Sequence, residues 1–172
     1  MFFYFKLLKI FVMKRYFLYF LMFFLFAGGG LSTYGQLYKT GVGARLGTFN
    51  GLTVKHFTQE GQAFEGILST RWNGFVVTGL YEFQRQFPDV NNLEWFFGGG
   101  AHVGFWHSGS RYPHLGNSSA SIVGLDLIIG IEYTFDEFPF SASLDWKPAF
   151  NLIGETGWWG DVAALSIRYT FR

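Results

Sequence analysis

Serine and histidine residues that could support nucleophilic catalysis occur together at His107 and Ser108, with Ser110 and His114 close by. A serine hydroxyl becomes a useful nucleophile only when an adjacent base takes its proton. His107 and Ser108 are immediate neighbours, so their side chains point to opposite sides of an extended chain. No acidic residue that could orient the histidine lies close by in the sequence. The pattern therefore favours histidines in a Ser-rich loop over a catalytic pair.

Two other features could suggest a metal or nucleotide site. His102 and His107 are five residues apart, so they face opposite sides of a strand and cannot converge on one ion. Three glycines end the run from Phe96 to Gly100, but no Lys-Ser/Thr pair and no helical pattern follows, as a phosphate-binding loop requires. Such glycines are more typical of a bend or a crowded position in a sheet. The sequence predicts neither a metal nor a cofactor.

The element that must position any such residue is a strand, because Ser121 to Phe135 alternates at a strict period of two. Val123, Leu125, Leu127, Ile129, Ile131, Tyr133 and Phe135 form one face; Gly124, Asp126, Ile128, Gly130, Glu132 and Thr134 form the other. Soluble strands run to about five or six residues, whereas a tilted strand that crosses a bilayer needs roughly 9 to 11. The length of this strand favours a transmembrane β-barrel.

The composition agrees with a barrel and excludes other classes. Aromatic residues make up 22% of the 172 residues and charged residues only 15%, with 23 glycines. This profile is unusual for a soluble domain and suits a barrel with aromatic girdles. Beyond Gly35 the chain has nine Lys and Arg against twelve Asp and Glu, which makes nucleic acid an unexpected partner. With no cysteine, disulfides and thiolate chemistry are excluded.

Residues 1–35 have the pattern of a cleaved signal peptide. Lys14 and Arg15 precede an apolar run from Tyr16 to Ala27, and small residues follow up to Gly35. The run is shorter than the roughly 20 apolar residues that a transmembrane helix needs. We therefore expect export, with cleavage before Gln36 and a true start that could be Met13, and a mature β-barrel domain over residues 36–172.

Seven further segments share the alternation of Ser121 to Phe135, so the sequence predicts an all-β fold, an eight-stranded antiparallel up-and-down transmembrane β-barrel. Asn50-Gly51 and Asn73-Gly74 predict tight hairpins. Ser108 to Ala120 and Pro148 to Gly160 are predicted loops on the outer side. The other seven predicted strands are Tyr38–Gly47, Leu52–Phe57, Ala63–Trp72, Phe75–Gln86, Leu93–His107, Pro139–Lys147 and Asp161–Phe171.

The polar faces of these strands carry equal numbers of positive and negative side chains. Buried charges are tolerated when they are paired and hydrogen-bonded, and an eight-stranded barrel has an interior just wide enough for side chains. We therefore expect a lumen that is plugged by paired charges. The predicted inward residues are Lys39, Arg45, Lys55, Arg71, Lys147 and Arg168, with Glu65, Glu82, Glu94, Asp126, Glu132 and Asp145.

Six tryptophans lie mostly near the predicted strand ends, where amphipathic rings anchor a protein at a membrane interface. We expect Trp72, Trp95, Trp106 and Trp146 to be interface anchors. Trp158 and Trp159 fall in the last predicted loop, where they could instead contact a ligand or a surface partner.

The C-terminal segment alternates in the same way. Its apolar face ends on an aromatic residue, Phe171, which is followed by Arg172. This resembles the terminal strand by which outer-membrane barrels are recognised for assembly. With the exported N-terminus and eight strands, residues 36–172 resemble small OmpA/OmpX-type outer-membrane β-barrel proteins of Gram-negative bacteria. The resemblance implies location in the outer membrane, contact with outer-membrane lipid, and recognition by the barrel-assembly machinery through the last strand.

The expected function is a non-enzymatic structural or surface-interaction role. The resemblance predicts where the protein resides more specifically than what it does, because one fold can support many functions. Two alternatives remain open. One is an enzyme of the outer leaflet that modifies lipid, similar to the small lipid A deacylase barrels. The other is a soluble barrel of lipocalin type, whose apolar residues would face inward and whose charged residues would face outward.

Overall fold

The computed structural model describes residues 37–71, 73–106, 120–154, 156–160 and 162–171, and every regular element in these ranges is a β-strand. The predicted signal peptide and the candidate catalytic residues His107, Ser108, Ser110 and His114 lie outside the described residues. The strands are β1 (Thr40–Gly47), β2 (Asn50–Gln59), β3 (Gln62–Arg71), β4 (Gly74–Gln86), β5 (Leu93–Trp106), β6 (Ala120–Thr134), β7 (Phe140–Trp146), β8 (Ala149–Ile153), β9 (Gly157–Trp159) and β10 (Ala163–Phe171).

The strands close into a barrel. Consecutive strands from β1 to β7 pair antiparallel, β10 pairs with β7, and β1 pairs with β10 from Thr40↔Phe171 to Gly47↔Ala164. Closure leaves no long exposed edge, which is how barrels avoid edge-to-edge aggregation.

The ten strands occupy eight positions in the wall. β7 and β8 pair with β6 in one continuous register, since Ile129 lies opposite Trp146 and Asp126 lies opposite Ala149. Pro148 interrupts this barrel strand because it has no N–H to donate, yet its carbonyl accepts a hydrogen bond of 2.9 Å from the Leu127 amide. In the same way β9 and β10 share one position in the wall, because β9 pairs with β8 and β10 pairs with β7. The predicted eight-stranded antiparallel up-and-down barrel is confirmed.

Two local predictions were wrong. Pro148 to Gly160 is not simply a loop, because β8 and β9 lie within it. A proline removes only one backbone hydrogen bond, so the barrel strand continues past Pro148. Asn50-Gly51 is part of β2, and the turn before it lies at Thr48 and Phe49. At the second predicted hairpin, Asn73 has a φ of 60°, the left-handed conformation that asparagine tolerates in tight turns.

The alternation turns the polar faces inward and the apolar faces outward. Leu127 on β6 is 62% exposed, whereas its neighbour Asp126 is 1% exposed. We call the end that holds Thr40 and Phe171 the terminal end, and the end with the β1–β2 turn the opposite end. Charged side chains alternate in the interior with three small buried apolar clusters: Tyr38, Phe57 and Ala63; Ile67, Leu80, Phe96 and Ile128; and Phe49, Val76, Trp106, Ile122 and Val162.

Among the residues that the structure describes, no helix is long and apolar enough to cross a membrane.

Candidate functional site

Glu132 of β6 accepts two hydrogen bonds and lies near a third, cationic group in the barrel interior. The Lys55 ammonium and the Tyr38 hydroxyl donate to its two oxygens at 2.9 Å and 2.6 Å, and the Arg168 guanidinium lies 3.7 Å away. These partners come from β2, from the chain before β1, and from β10. Alternation turns Lys55 and Arg168 inward, and the bend before β1 turns Tyr38 inward. One carboxylate thus joins distant parts of the wall across the lumen.

Lys55 neutralises a second carboxylate as well. Its ammonium nitrogen lies 2.9 Å from Glu82 and 2.9 Å from Glu132, and 4.2 Å from the centre of the Phe96 ring. Lys55 and both glutamates are fully buried. Removing a charge from water is costly, and here the cost is offset by close opposite charges and an aromatic face.

Arg168 forms the other cationic centre. Its guanidinium pairs with Glu65 and donates to the Ser143 hydroxyl at 2.8 Å, while Thr53 donates to Glu65. Because a guanidinium has five N–H donors in a fixed plane, one Arg168 side chain can satisfy acceptors on several strands at once. The Ser143 and Thr53 hydroxyls therefore join this centre as partners of Arg168 and Glu65.

Arg45 and Asp145 form a bidentate pair between β1 and β7. One guanidinium nitrogen donates to Asp145 at 2.7 Å and the other contacts its second carboxylate oxygen. Arg45 also donates to the Ser166 hydroxyl at 3.4 Å. Two parallel hydrogen bonds fix both the distance and the orientation of the two side chains. This pair therefore fixes β1 relative to β7.

A second polar cluster surrounds His102 of β5. Its Nδ1 lies 2.7 Å from Asp126, its Nε2 lies 3.0 Å from the Asn151 side-chain oxygen, and Lys147 forms an ion pair with the same aspartate. The Trp159 ring stacks on the imidazole. Both ring nitrogens of His102 therefore have polar partners inside the barrel.

Most of the predicted inward charges lie in the interior, and three differ. Arg71 is half-buried, with its guanidinium 4.9 Å from the Phe49 ring. Glu94 is half-buried and accepts a hydrogen bond of 2.7 Å from Gln84. Lys39 is exposed, which corrects the prediction that it faces inward. The other nine are buried: Arg45, Lys55, Glu65, Glu82, Asp126, Glu132, Asp145, Lys147 and Arg168.

Lys39 is displaced because the chain bends before β1 begins at Thr40, so the alternation of β1 does not extend back to it. Tyr38 takes the interior position instead. Burial, followed by the negative charge of Glu132, raises the pKa of the Tyr38 phenol well above its usual range. The phenol therefore stays protonated and remains a hydrogen-bond donor to Glu132.

The tryptophans separate into two groups. Trp146 is exposed on the outer face, and half-buried Trp95 stacks there on Phe97 with centroids 5.5 Å apart. Trp158 is also exposed. Trp106 is not an interface anchor: it is 2% exposed and packs inside the barrel, where a Cβ on Gly104 would lie 2.6 Å from its ring.

Trp159, the other residue predicted as an outer contact, is half-buried. It packs inside against Phe49 and Trp106 at centroid distances of 5.3 Å and 6.2 Å. Trp72 lies outside the described residues. Sequence reasoning missed Asn151 and Trp159 as interior residues because both lie in the predicted loop from Pro148 to Gly160. It missed Tyr38 because the alternation of the first predicted strand placed this residue on the outward face. For His102 the alternation did predict an interior position, because it lies on the polar face of the predicted strand Leu93–His107.

Buried ion pairs and hydrogen bonds dominate the chemistry of this interior. Within the described ranges, no group of three or more His, Cys, Asp or Glu residues is arranged to hold a metal ion. Oppositely charged groups from opposite walls neutralise one another in a space filled by side chains. The arrangement can brace the wall and obstruct the lumen.

Comparison of the chain with protein-family models, with curated proteins and with solved structures finds no match.

Proposed function

We propose that this chain is a non-enzymatic integral protein of the outer membrane of a Gram-negative bacterium, with a structural or surface-interaction role and a lumen closed by paired charges. A signal peptide over residues 1–35 would export it, and the barrel-assembly machinery would recognise its last strand, β10. The observation that carries the proposal is the polarity of the barrel wall: ion pairs inside and an apolar surface outside.

The outer face supports burial in lipid. Large exposed apolar residues lie on nearly every strand, among them Val54, Leu68, Val77, Leu144 and Ile167. Monomeric soluble proteins rarely expose contiguous apolar patches larger than a few hundred Å². A lipocalin-type barrel would have the opposite polarity, with apolar residues inside and charges outside, so the observed wall favours a lipid environment over water.

Aromatic rings near the two ends of the wall add to this argument. At the terminal end, Phe140 and Phe171 lie 5.4 Å and 5.0 Å from Tyr169. At the opposite end, Phe75 and Phe105 lie 5.2 Å apart. Between them the outer face is largely aliphatic. Rings at two levels with aliphatic residues between them are typical of outer-membrane barrels, whose aromatic girdles lie at the two interfaces.

The proposal is tested by expressing the full chain in a Gram-negative host and separating inner membrane, outer membrane and periplasm. We expect the protein in the outer-membrane fraction, with its mobility in detergent gels changed by heating, because a closed hydrogen-bonded barrel resists detergent until it is heated. Recovery in the periplasmic fraction without detergent would contradict the proposal. If the recovered protein still carries residues 1–35, the signal-peptide prediction is contradicted separately.

A further inference from the structure

The apolar outer surface is far shorter on β1 and β2 than on β6. Along β6 and the residue that follows it, the exposed apolar residues run from Val123 to Phe135. At about 3.3 Å per residue and a tilt of about 40°, they cover about 30 Å of height. On β1 the apolar outward residues run only from Val42 to Leu46, which covers about 10 Å by the same reckoning. A barrel needs an apolar band about 25 Å tall to match a bilayer.

Polar side chains border this short region at the terminal end. Thr40 and His56 face outward there, and the Thr40 hydroxyl lies 2.9 Å from the His56 ring nitrogen. Thr40 lies opposite Phe171 and His56 lies opposite Phe64 in the strand register. The aromatic residues of the terminal end therefore stop on both sides of β1 and β2, and a threonine and a histidine occupy the gap.

Polar groups also border the short apolar surface of β1 and β2 at the opposite end. Asn50 faces outward at the start of β2, where its side-chain oxygen accepts a hydrogen bond of 3.0 Å from the Gly47 amide. Thr70 of β3 lies opposite Asn50 and is exposed. The wall at β1 and β2 ends at the turn of Thr48 and Phe49. Only Leu52 and Val54 lie between Asn50 and His56 on the outward face of β2.

We propose that the β1–β2 face, defined by the outward residues Thr40 to Leu46 and Asn50 to His56, thins the surrounding bilayer and binds lipid headgroups that are drawn inward from both leaflets. The proposal rests on the membrane location proposed above. A short apolar surface in a thicker bilayer is accommodated by local thinning. Thr40, His56, Asn50 and Thr70 carry hydrogen-bonding groups that suit the phosphate and ester oxygens of phospholipid headgroups.

The test uses single cysteines, which the native chain lacks. Asn50→Cys and His56→Cys on β2 are compared with Leu125→Cys and Ile131→Cys on β6, since both pairs are six residues apart. Each variant is spin-labelled and reconstituted in phosphatidylcholine vesicles, and its collisions with oxygen and with a water-soluble nickel chelate are measured. We expect both β2 labels to have an oxygen-to-nickel ratio several-fold lower than both β6 labels.

The outcomes separate the two proposals. If the β6 labels collide mainly with oxygen and the β2 labels do so equally, the bilayer is not thinned and only the present inference fails. If the β6 labels also collide mainly with nickel, the membrane location itself fails. If the β2 labels collide with neither reagent, a second copy covers the face, and the headgroup proposal is again overturned.

A compensating variant gives an independent check. Asn50→Leu combined with His56→Phe lengthens the apolar surface on β2, and Val54→Cys carries the reporter label. We expect the label to lie deeper in the hydrocarbon than it does with Asn50 and His56 present, seen as a several-fold higher oxygen-to-nickel ratio. An unchanged ratio would contradict the proposal. Heat-modifiable migration of each variant verifies that the barrel is folded.

Discussion

The indole of Trp159 stacks on the imidazole of His102 inside the barrel, with ring centroids 5.4 Å apart and an angle of 18° between the planes. The two residues belong to β9 and β5, on different parts of the wall. His102 also lies 3.0 Å from Asn151 of β8. The β8–β9 hairpin is therefore held to the wall through the interior as well as through backbone pairing.

Replacing Trp159 should weaken this attachment. We expect Trp159→Ala to lower the free energy of unfolding by about 2 to 3 kcal/mol, less than the loss of a fully buried tryptophan, because Trp159 is half-buried. Trp158→Ala is the matched control, because Trp158 is 58% exposed on the adjacent position. Urea unfolding in lipid vesicles measures both. Equal losses of unfolding free energy in the two variants would contradict a stabilising role for the stacking of Trp159 on His102.

Removing the Lys55 ammonium should leave Glu82 and Glu132 without their shared cation. We expect Lys55→Met to cost about 3 to 5 kcal/mol, because breaking a buried ion pair leaves an uncompensated charge. Lys39→Met, at an exposed lysine before β1, should change stability by less than about 0.5 kcal/mol. The same unfolding measurement distinguishes the two. A Lys55→Met protein as stable as the Lys39→Met protein would contradict a bracing role for the ion pair.

Gly124 leaves room for His102. A Cβ there would lie 2.5 Å from the imidazole Cε1 atom and 2.5 Å from the Phe150 carbonyl oxygen. We expect Gly124→Ala to destabilise the barrel by about 1 to 3 kcal/mol through overpacking. Gly79→Ala is the control, since a Cβ on outward Gly79 has no atom within 4 Å. If Gly79→Ala were the more harmful change, the assignment of inner and outer faces would be contradicted.

The outward position of Leu127 tests contact with lipid. Leu127→Arg places a charge in the middle of the apolar surface of β6, where it should cost roughly 2 to 4 kcal/mol near the bilayer midplane. Phe138→Arg, in the exposed turn after β6, is the control and should cost about 0 to 1 kcal/mol. Unfolding from vesicles measures both variants. Unchanged stability of Leu127→Arg would argue against lipid at this face.

The filled interior predicts little conduction. Porins with aqueous channels have about 16 to 18 strands, whereas eight strands leave space mainly for their own side chains. Arg45, Lys55, Glu132 and Arg168 are buried in this lumen and joined in ion pairs. We expect no steady porin-sized current from the purified protein in a planar bilayer. Large, reproducible single-channel steps would show a wider or unplugged pore.

Much of the fold follows from sequence periodicity. Successive side chains of a strand point to opposite faces, so Ser121 to Phe135 predicted both the existence of β6 and which of its side chains share a face. Boundaries were less certain. Pro148 interrupts the ladder at one amide only, and the sequence pattern does not distinguish a proline that ends a strand from one inside it.

The sequence by itself determined the eight-stranded barrel and the set of charges on the polar faces, because both depend on a local period of two. Tertiary structure alone decided which charges meet: Glu132 is bonded to Tyr38, 94 positions away, and Arg45 to Asp145, 100 positions away. It also turned Trp106 and Trp159 inward and Lys39 outward. These outcomes depend on the register of closure and on space inside the lumen, and neither is a property of any one strand.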